Sequence, residues 1–168
     1  MNSSATTSIN VHGTCVALTC AGRSAGVLLL GESGSGKSSL ALSLIDQPGT
    51  GVGSAAPIVG HLVSDDQVLL AEAEGHLTAS APDTTKGLLE VRGLGIVKVR
   101  TAISPVRVAL VVTHATAPDL DRMPDVQVIE LAGRSLPLHK IVFSNPSAAA
   151  QIRTLAQVQW GMSSLINR

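Results

Sequence analysis

The chain has 168 residues, of which 45% are apolar, so it is long enough to bury the core of one domain and too apolar for a disordered or fibrous protein. Its 12 basic residues balance its 12 acidic ones, and it contains one Phe, one Trp and no Tyr. A chain without basic excess or aromatic platforms is not expected to bind nucleic acid, and no apolar run is long enough to cross a membrane.

The N-terminus shows no targeting signal. Residues 1–8 carry no basic residue and no apolar run, so we expect a disordered tail rather than a signal peptide, in a cytoplasmic protein with a single domain over residues 1–168. Cys15 and Cys20 have the spacing of neither a disulfide framework nor a metal motif, which predicts reduced, buried thiols.

The first half of the chain predicts two strands, a loop and a helix. Residues 11–18 and 26–30 are apolar and β-branched runs that predict strands. The glycine-rich residues 31–36 predict a loop, and the apolar spacing in residues 37–45 predicts a helix. Residues 47–60, with their glycines and prolines, predict a flexible loop.

The second half predicts short strands and one more helix. Strand signals fall at 61–63, 68–71, 77–79, 106–112, 126–131 and 138–143, the last two as a pair, and at 88–99 with a bend at Gly93 and Gly95. Residues 147–166 carry an apolar helical stripe, expected to pack on the sheet, with Ser147 as N-cap. The predicted fold class is α/β: a mixed β-sheet with a helix after the glycine-rich loop and a C-terminal helix.

One motif carries phosphate chemistry. Residues 31–38 read GESGSGKS and match G-x-x-x-x-G-K-[ST], between an apolar strand and a helix. Glycines let backbone N–H groups curl around phosphate oxygens, the helix N-terminus attracts the same charge, the lysine reaches the β- and γ-phosphates, and the serine hydroxyl joins the Mg²⁺ shell. The predicted phosphate-binding residues are Gly31, Glu32, Ser33, Gly34, Ser35, Gly36, Lys37, Ser38 and Ser39.

Candidate acids, bases and metal ligands lie elsewhere. Asp65 and Asp66 follow an apolar strand, where one carboxylate could hold the metal while the other accepts a hydroxyl proton; an ordinary solvated turn explains them equally well. Glu90 and Arg92, two apart in a strand, share a face as a structural ion pair or as part of a site. His12 on the first strand is a structural residue or a site residue.

These motifs, in this order, resemble the catalytic domain of the HPr kinase/phosphorylase family. The similar segments are V-H-G at 11–13, the P-loop, L-V-S-D-D-Q-V at 62–68 and L-L-E-V-R-G-L-G-I-V at 88–97. Long members carry a separate N-terminal domain, so the chain resembles the short alphaproteobacterial-type form that lacks it. The resemblance implies a P-loop-containing kinase core in which the helix predicted over residues 37–45 is the P-loop helix. It also implies an ATP-dependent kinase that phosphorylates a serine of an HPr-type phosphocarrier of the phosphotransferase system, with the reverse phosphorolysis as a further activity.

The resemblance also implies residue roles and partners. Asp65 matches the catalytic carboxylate, with Asp66 beside it, and His12, Glu90 and Arg92 belong to the catalytic set. Ser38, Asp66 and Glu90 are the implied Mg²⁺ ligands, and ATP, or phosphate and pyrophosphate, the implied small-molecule partners. The implied assembly is a homo-oligomer, a hexamer in the family.

Departures from the family pattern keep other functions open. Ser39 replaces the usual acidic residue, and the later basic-glycine loop is reduced to residues 133–135. The alternatives are a catalytically weak nucleotide-binding regulatory domain, or a P-loop kinase with another acceptor.

Overall fold

The computed structural model describes residues 8–53 and 56–165. Residues 1–7 of the expected N-terminal tail therefore lie outside the described residues, whereas Ser8 begins the first strand. No helix in the described ranges has the length and hydropathy needed to span a membrane.

Eleven strands, two α-helices and one 3₁₀ helix form the described part of the chain. The strands are β1 (Ser8–His12), β2 (Thr14–Cys20), β3 (Arg23–Leu30), β4 (Val59–Ser64), β5 (Gln67–Ala73), β6 (His76–Ser80), β7 (Leu88–Val91), β8 (Gly95–Lys98), β9 (Val106–His114), β10 (Gln127–Leu131) and β11 (Arg134–Ile141). The helices are α1 (Lys37–Asp46), α2 (Ala148–Gln159) and the 3₁₀ turn Ala117–Asp119.

Within the described residues, nine strands form one mixed sheet that branches at β9. The main path runs β1-β5-β6-β9-β3-β2-β4, and β11 with β10 attaches to the second half of β9. β9 runs parallel to β3 and to β11, and the other neighbours in this sheet are antiparallel. The predicted mixed α/β class, with a helix after the glycine-rich loop and a helix near the C-terminus, is confirmed.

Several predicted elements differ from the structure. The strand expected over residues 11–18 is two strands, because the chain bends at Gly13: β1 pairs with β5, and β2 pairs with β4. A side chain at Gly13 would meet the Leu29 carbonyl oxygen at 2.9 Å, so the bend needs glycine. The bent strand expected over 88–99 is the β7–β8 hairpin, whose turn uses positive φ at Gly93 and Gly95.

The boundaries of the loop and of the last helix also change. An antiparallel bridge between Gly49 and Ile58 closes the loop expected over 47–60, and Ile58 is fully buried. The second helix ends at Gln159 instead of continuing to residue 166. Ser147 is the residue at its N-cap position, but its hydroxyl donates to Asn145 Oδ1 and caps no helical N–H.

The central strands are buried on both faces. Alternate residues enter different clusters: Val27 and Leu29 pack towards the helices, while Leu28 packs towards the curled β5–β6 leaf. Because both faces are covered, β3 is a continuous apolar run rather than an alternating one. Cys15 and Cys20 are both buried, as expected, and burial raises the pKa of the Cys15 thiol to about 12.

Two buried polar side chains of α2 organise the end of α1 and the loop after it. Arg153 donates to the carbonyl oxygen of Gln47 at the C-terminus of α1, where a cation meets the negative end of the helix dipole. Gln157 accepts from the N–H groups of Val52 and Gly53 at 3.1 and 2.9 Å and donates to the Thr50 carbonyl at 2.6 Å. Hydrogen bonds from α2 therefore hold the segment after α1 in place.

We expect Gln157→Ala to destabilise the fold by about 2–3 kcal/mol, because it removes a fully buried side chain and its three hydrogen bonds to the segment after α1. The matched control is Gln151→Ala on the exposed side of the same helix, expected within about 0.5 kcal/mol of the unmodified chain. Urea unfolding followed by circular dichroism measures both. Equal losses in the two variants would contradict the role of Gln157.

Candidate active site

The predicted site residues converge on one cleft of about 240 Å³, beside the N-terminus of α1. It contains all five predicted catalytic residues, together with residues of the glycine-rich loop. The lining residues are His12, Thr14, Ser33, Gly34, Gly36, Lys37, Ser38, Ser39, Asp65, Asp66, Glu90 and Arg92. Residues up to 80 positions apart in sequence therefore meet at the site, since the lining begins at His12 and ends at Arg92.

The glycine-rich loop joins β3 to α1 through two left-handed glycines, Gly34 at φ 81° and Gly36 at φ 98°. Gly36 occupies the N-cap position of α1, so the first helical turn, with its unpaired N–H groups, opens on the cleft. Three of the predicted phosphate-binding residues do not line the cleft: Gly31, Glu32 and Ser35. Glu32 is exposed, and it does not line the cleft.

The Lys37 ammonium is buried and directs its hydrogens at three acceptors. It donates to the carbonyl oxygens of Gly31 and Glu32 at 2.7 and 2.9 Å, and it lies 3.2 Å from Nε2 of His12. Burial lowers the pKa of Lys37 below its ordinary value, and the negative charges of Asp65 and Asp66 partly offset this effect. The site thus holds a buried cation beside the glycine-rich loop, in a position to contact the oxygens of a bound phosphate.

Asp65 is the most heavily bonded side chain of the cleft. Its Oδ1 accepts from the hydroxyls of Thr14 at 2.7 Å and Ser38 at 2.9 Å, and its Oδ2 accepts from the Glu90 N–H at 3.1 Å. The carboxylate is only 5% exposed. One buried group therefore links β2, α1 and β7, and its oxygens are occupied by hydrogen bonds.

Asp66 has the opposite environment. It adopts φ 66°, a left-handed conformation that aspartate tolerates, which turns its side chain away from that of Asp65. The side chain is 68% exposed, and Oδ1 lies 3.3 Å from Nδ1 of His12. The two adjacent carboxylates therefore differ: one is buried and bonded, the other open to the cleft.

The hydrogen bonds assign the His12 tautomer. Because Lys37 donates to Nε2, that nitrogen carries a lone pair, and the hydrogen of the neutral ring resides on Nδ1. Nδ1–H then donates to the Asp66 carbonyl oxygen at 3.1 Å and faces the Asp66 carboxylate. His12 therefore bridges the lysine and the open carboxylate, which favours the site interpretation of this residue over the structural one.

Glu90 and Arg92 reach the cleft from the β7–β8 hairpin. Both side chains are exposed, but Arg92 lies in the hairpin turn, so the prediction of two residues on one face of a strand is wrong in detail. The Arg92 Nη2 lies 3.8 Å from the position that a Cβ on Gly34 would occupy, which places the guanidinium over the loop. No ion pair joins Glu90 to Arg92 among the described residues.

The donor set suits magnesium carried by a phosphorylated ligand. Ser38, Asp65, Asp66 and Glu90 all line the cleft with oxygen atoms, the ligands that Mg²⁺ prefers. Within the described ranges, no three His, Cys, Asp or Glu side chains form a ready metal cluster. Because Mg²⁺ commonly takes one or two protein oxygens and completes its shell with phosphates and water, the residues fit such an ion.

The sequence did not single out Thr14 or the support behind the loop. Thr14 is buried next to the glycine bend and has no motif of its own. His114 ends β9, accepts from the Phe143 N–H at 3.3 Å and stacks near its ring at 5.1 Å. His114 packs against Gly31, and Phe143 packs against Gly36. In the sequence, the one indication of this support was the prediction that β9 is a central strand ending at this edge of the sheet.

The reduced basic-glycine loop lies outside the cleft. Arg134 pairs with Glu72 at 2.9 Å, linking the turn before β11 to the β5–β6 hairpin. The pKa of Glu72 is lowered by the Gly75 N–H and by this guanidinium. Arg134 has a structural partner here and does not line the site.

Comparison with known proteins identifies the family. Residues 3–109 match the HPr Serine kinase C-terminal domain, which is more than half of the chain. The HPr kinase/phosphorylase of Bordetella pertussis is 39% identical over 128 residues, which are 70% of this chain and 37% of that protein. The Clostridium tetani protein of the same name is 49% identical over 75 residues, 44% of this chain and 21% of that protein.

A solved structure shows the same fold. The Hpr(Ser) kinase/phosphatase of Coxiella burnetii superposes with a TM-score of 0.67 and 21% sequence identity, covering 93% of this chain and 99% of that one. The chain belongs to the HPr serine kinase family, by its match to the C-terminal domain. It spans between about a fifth and two fifths of the length of the two relatives named above.

We expect Thr14→Val, which keeps the shape and removes the hydroxyl, to weaken binding of Mg²⁺-loaded nucleotide about tenfold, because the Asp65 carboxylate loses one of its donors. Thr14→Ser retains the hydroxyl and is the matched control, expected within about twofold of the unmodified chain. Calorimetric titration measures both affinities. If Thr14→Ser weakened binding as much as Thr14→Val, the methyl group rather than the hydroxyl would be the relevant feature.

Proposed function

We propose that this chain is an ATP-dependent protein-serine kinase that phosphorylates a serine of an HPr-type phosphocarrier. The observation that carries the proposal is the convergence on one cleft of a buried lysine, a serine bonded to a buried carboxylate, and a second carboxylate left open. A phosphoryl donor, a metal and a hydroxyl acceptor need this combination. The names of the HPr kinase/phosphorylase relatives support the choice of an HPr-type acceptor.

In this proposal the two aspartates exchange the roles that the resemblance gives them. Asp65 acts as the partner of the P-loop serine: Ser38 donates its hydrogen to Asp65 and keeps its oxygen lone pairs for Mg²⁺. Asp66 acts as the proton acceptor, because it is exposed to the cleft and its nearest described ion-pair partner is the His12 ring. The metal supplies charge neutralisation at the phosphates when it is bound.

The proposed reaction forms one bond and breaks another. The serine oxygen attacks the γ-phosphorus, its proton passes to the Asp66 carboxylate, and the bond to the bridging oxygen breaks with its electron pair leaving on ADP. Lys37, already stripped of water, neutralises charge on the phosphate oxygens. His12, with its hydrogen on Nδ1, donates to the Asp66 carbonyl oxygen and faces the Asp66 carboxylate, and so positions this residue.

The kinase reaction, from ATP to the serine, has better support than the reverse phosphorolysis. Among the described residues, Lys37 and Arg92 are the cationic side chains that line the cleft, and both lie at the P-loop. The basic residue of the reduced glycine loop, Arg134, is paired with Glu72 instead. We therefore propose phosphoryl transfer from ATP to the serine, and not the reverse phosphorolysis, as the activity of this chain.

The direct test is transfer of label from γ-labelled ATP to the HPr-type carrier of the same organism, in the presence of Mg²⁺. We expect label on a carrier serine and none after Lys37→Ala, because the buried cation at the phosphates is lost. Calorimetry of ATP binding runs beside the assay. Binding without transfer would replace the proposal with a nucleotide-binding regulatory domain, and transfer to another acceptor would keep the chemistry and change the substrate.

The exchanged roles are tested by two isosteric variants. We expect Asp66→Asn to lower turnover at least about a hundredfold with nearly unchanged affinity for Mg²⁺-loaded nucleotide, because asparagine tolerates the left-handed backbone but accepts no proton. We expect Asp65→Asn to weaken that affinity about tenfold or more, because an amide nitrogen would face hydrogen-bond donors. Steady-state kinetics and calorimetry separate the two. Near-normal turnover of Asp66→Asn would return the proton-accepting role to Asp65.

A further inference from the structure

The β7–β8 hairpin has one face packed on the core and one face open. Leu89 is fully buried, and Val91 and Val97 pack against the same core cluster. The register places Glu90 opposite Ile96 and Leu88 opposite Lys98, so these side chains share the outer face. Because Glu90 lines the cleft, the outer face of the hairpin continues directly from the site.

Large apolar side chains are exposed at this rim. Ile96 is 72% exposed beside Glu90, and Leu94 in the hairpin turn is 79% exposed. Polar phosphates and a metal ion gain nothing from such neighbours. Exposed apolar side chains next to a polar cleft are typical of a surface that another polypeptide covers.

The same rim carries unpaired positive charge. Lys98 follows Ile96 at the spacing that keeps residues on one side of a strand, and Arg100 continues the exposed positions beyond the end of β8. Within the described ranges, neither cation forms an ion pair, and neither does Arg92 at the hairpin turn. Four residues, Leu94, Ile96, Lys98 and Arg100, form this rim, here termed the hairpin face.

We propose that the hairpin face docks the segment of the acceptor protein that carries the phosphorylated hydroxyl. The matching segment has an apolar side chain near the acceptor serine, which covers Ile96, and at least one carboxylate, which meets Lys98 or Arg100. The continuity of this face with Glu90 favours the acceptor, since a hydroxyl that enters the cleft brings its flanking residues onto the rim. The inference rests on the proposed kinase function and adds the chemistry by which the acceptor is recognised.

Two variants of the full chain test the docking. Ile96→Ser removes apolar contact and Lys98→Glu reverses a charge, and neither residue lines the cleft. The matched controls on other strands are Val128→Ser, at an apolar position 62% exposed on β10, and Lys140→Glu on β11. KM for the HPr-type carrier, kcat, and calorimetric affinities for Mg²⁺-loaded nucleotide and for the carrier are measured for each.

We expect Ile96→Ser and Lys98→Glu to raise KM for the carrier and weaken its calorimetric affinity about five- to tenfold. Nucleotide affinity should stay within about twofold, and the controls should match the unmodified chain. Lys98→Glu should also reduce the rise of KM with salt concentration. An unchanged KM, or equal effects in the controls, would overturn the docking assignment.

Other outcomes separate docking from the kinase function itself. If the unmodified chain binds the carrier but transfers no phosphoryl group, the kinase proposal fails, and sensitivity of that binding to Ile96→Ser still supports the docking surface. If the unmodified chain transfers label while Ile96→Ser changes only the oligomeric state, measured by light scattering, the hairpin face joins copies of this chain and the docking proposal is wrong.

Discussion

The site depends on one buried carboxylate that joins three separate elements. Asp65 accepts hydrogen bonds from Thr14 on β2, Ser38 on α1 and the Glu90 N–H on β7. A buried charge with unfilled bonding capacity costs several kcal/mol, so these elements are held at the distances that satisfy it. The glycine-rich loop, the end of β4 and the hairpin are thereby fixed relative to one another before any ligand arrives.

The remaining groups of the cleft are arranged around this fixed centre. The Asp66 carboxylate takes no part in the hydrogen bonds around Asp65, because the left-handed backbone at Asp66 directs it towards His12 and the cleft. Lys37 is held at the other end by loop carbonyls and the same imidazole. Adjacent residues of identical type thus differ in burial and hydrogen bonding, the two factors that separate the roles of paired acids in general.

Much of this arrangement could be predicted from the sequence, at the positions where interactions between residues close in sequence determine the structure. The glycine-rich loop and α1 follow from a motif whose glycines, strand and helix agree, and the run 106–112 was recognisable as a central strand because it is apolar throughout. The bend at Gly13 and the β7–β8 hairpin were missed, since both depend on which strands pair across the sheet. Thr14 carried no signal, because its importance comes from a contact with a residue 51 positions away.

The bend at Gly13 places the two aspartates of the site next to different pairs of strands. His12 ends β1 and Asp66 directly precedes β5, and these two strands pair with each other. Thr14 begins β2 and Asp65 directly follows β4, and these two strands form the neighbouring pair. The junction is crossed by the Gly13 N–H, which donates to the Asp66 carbonyl at 3.1 Å. The boundary between these two strand pairs therefore runs between two adjacent aspartates. The distance from the proposed proton acceptor to the phosphate cradle is set by how the β1–β5 pair lies relative to β2 and β4, and not by side-chain rotamers alone.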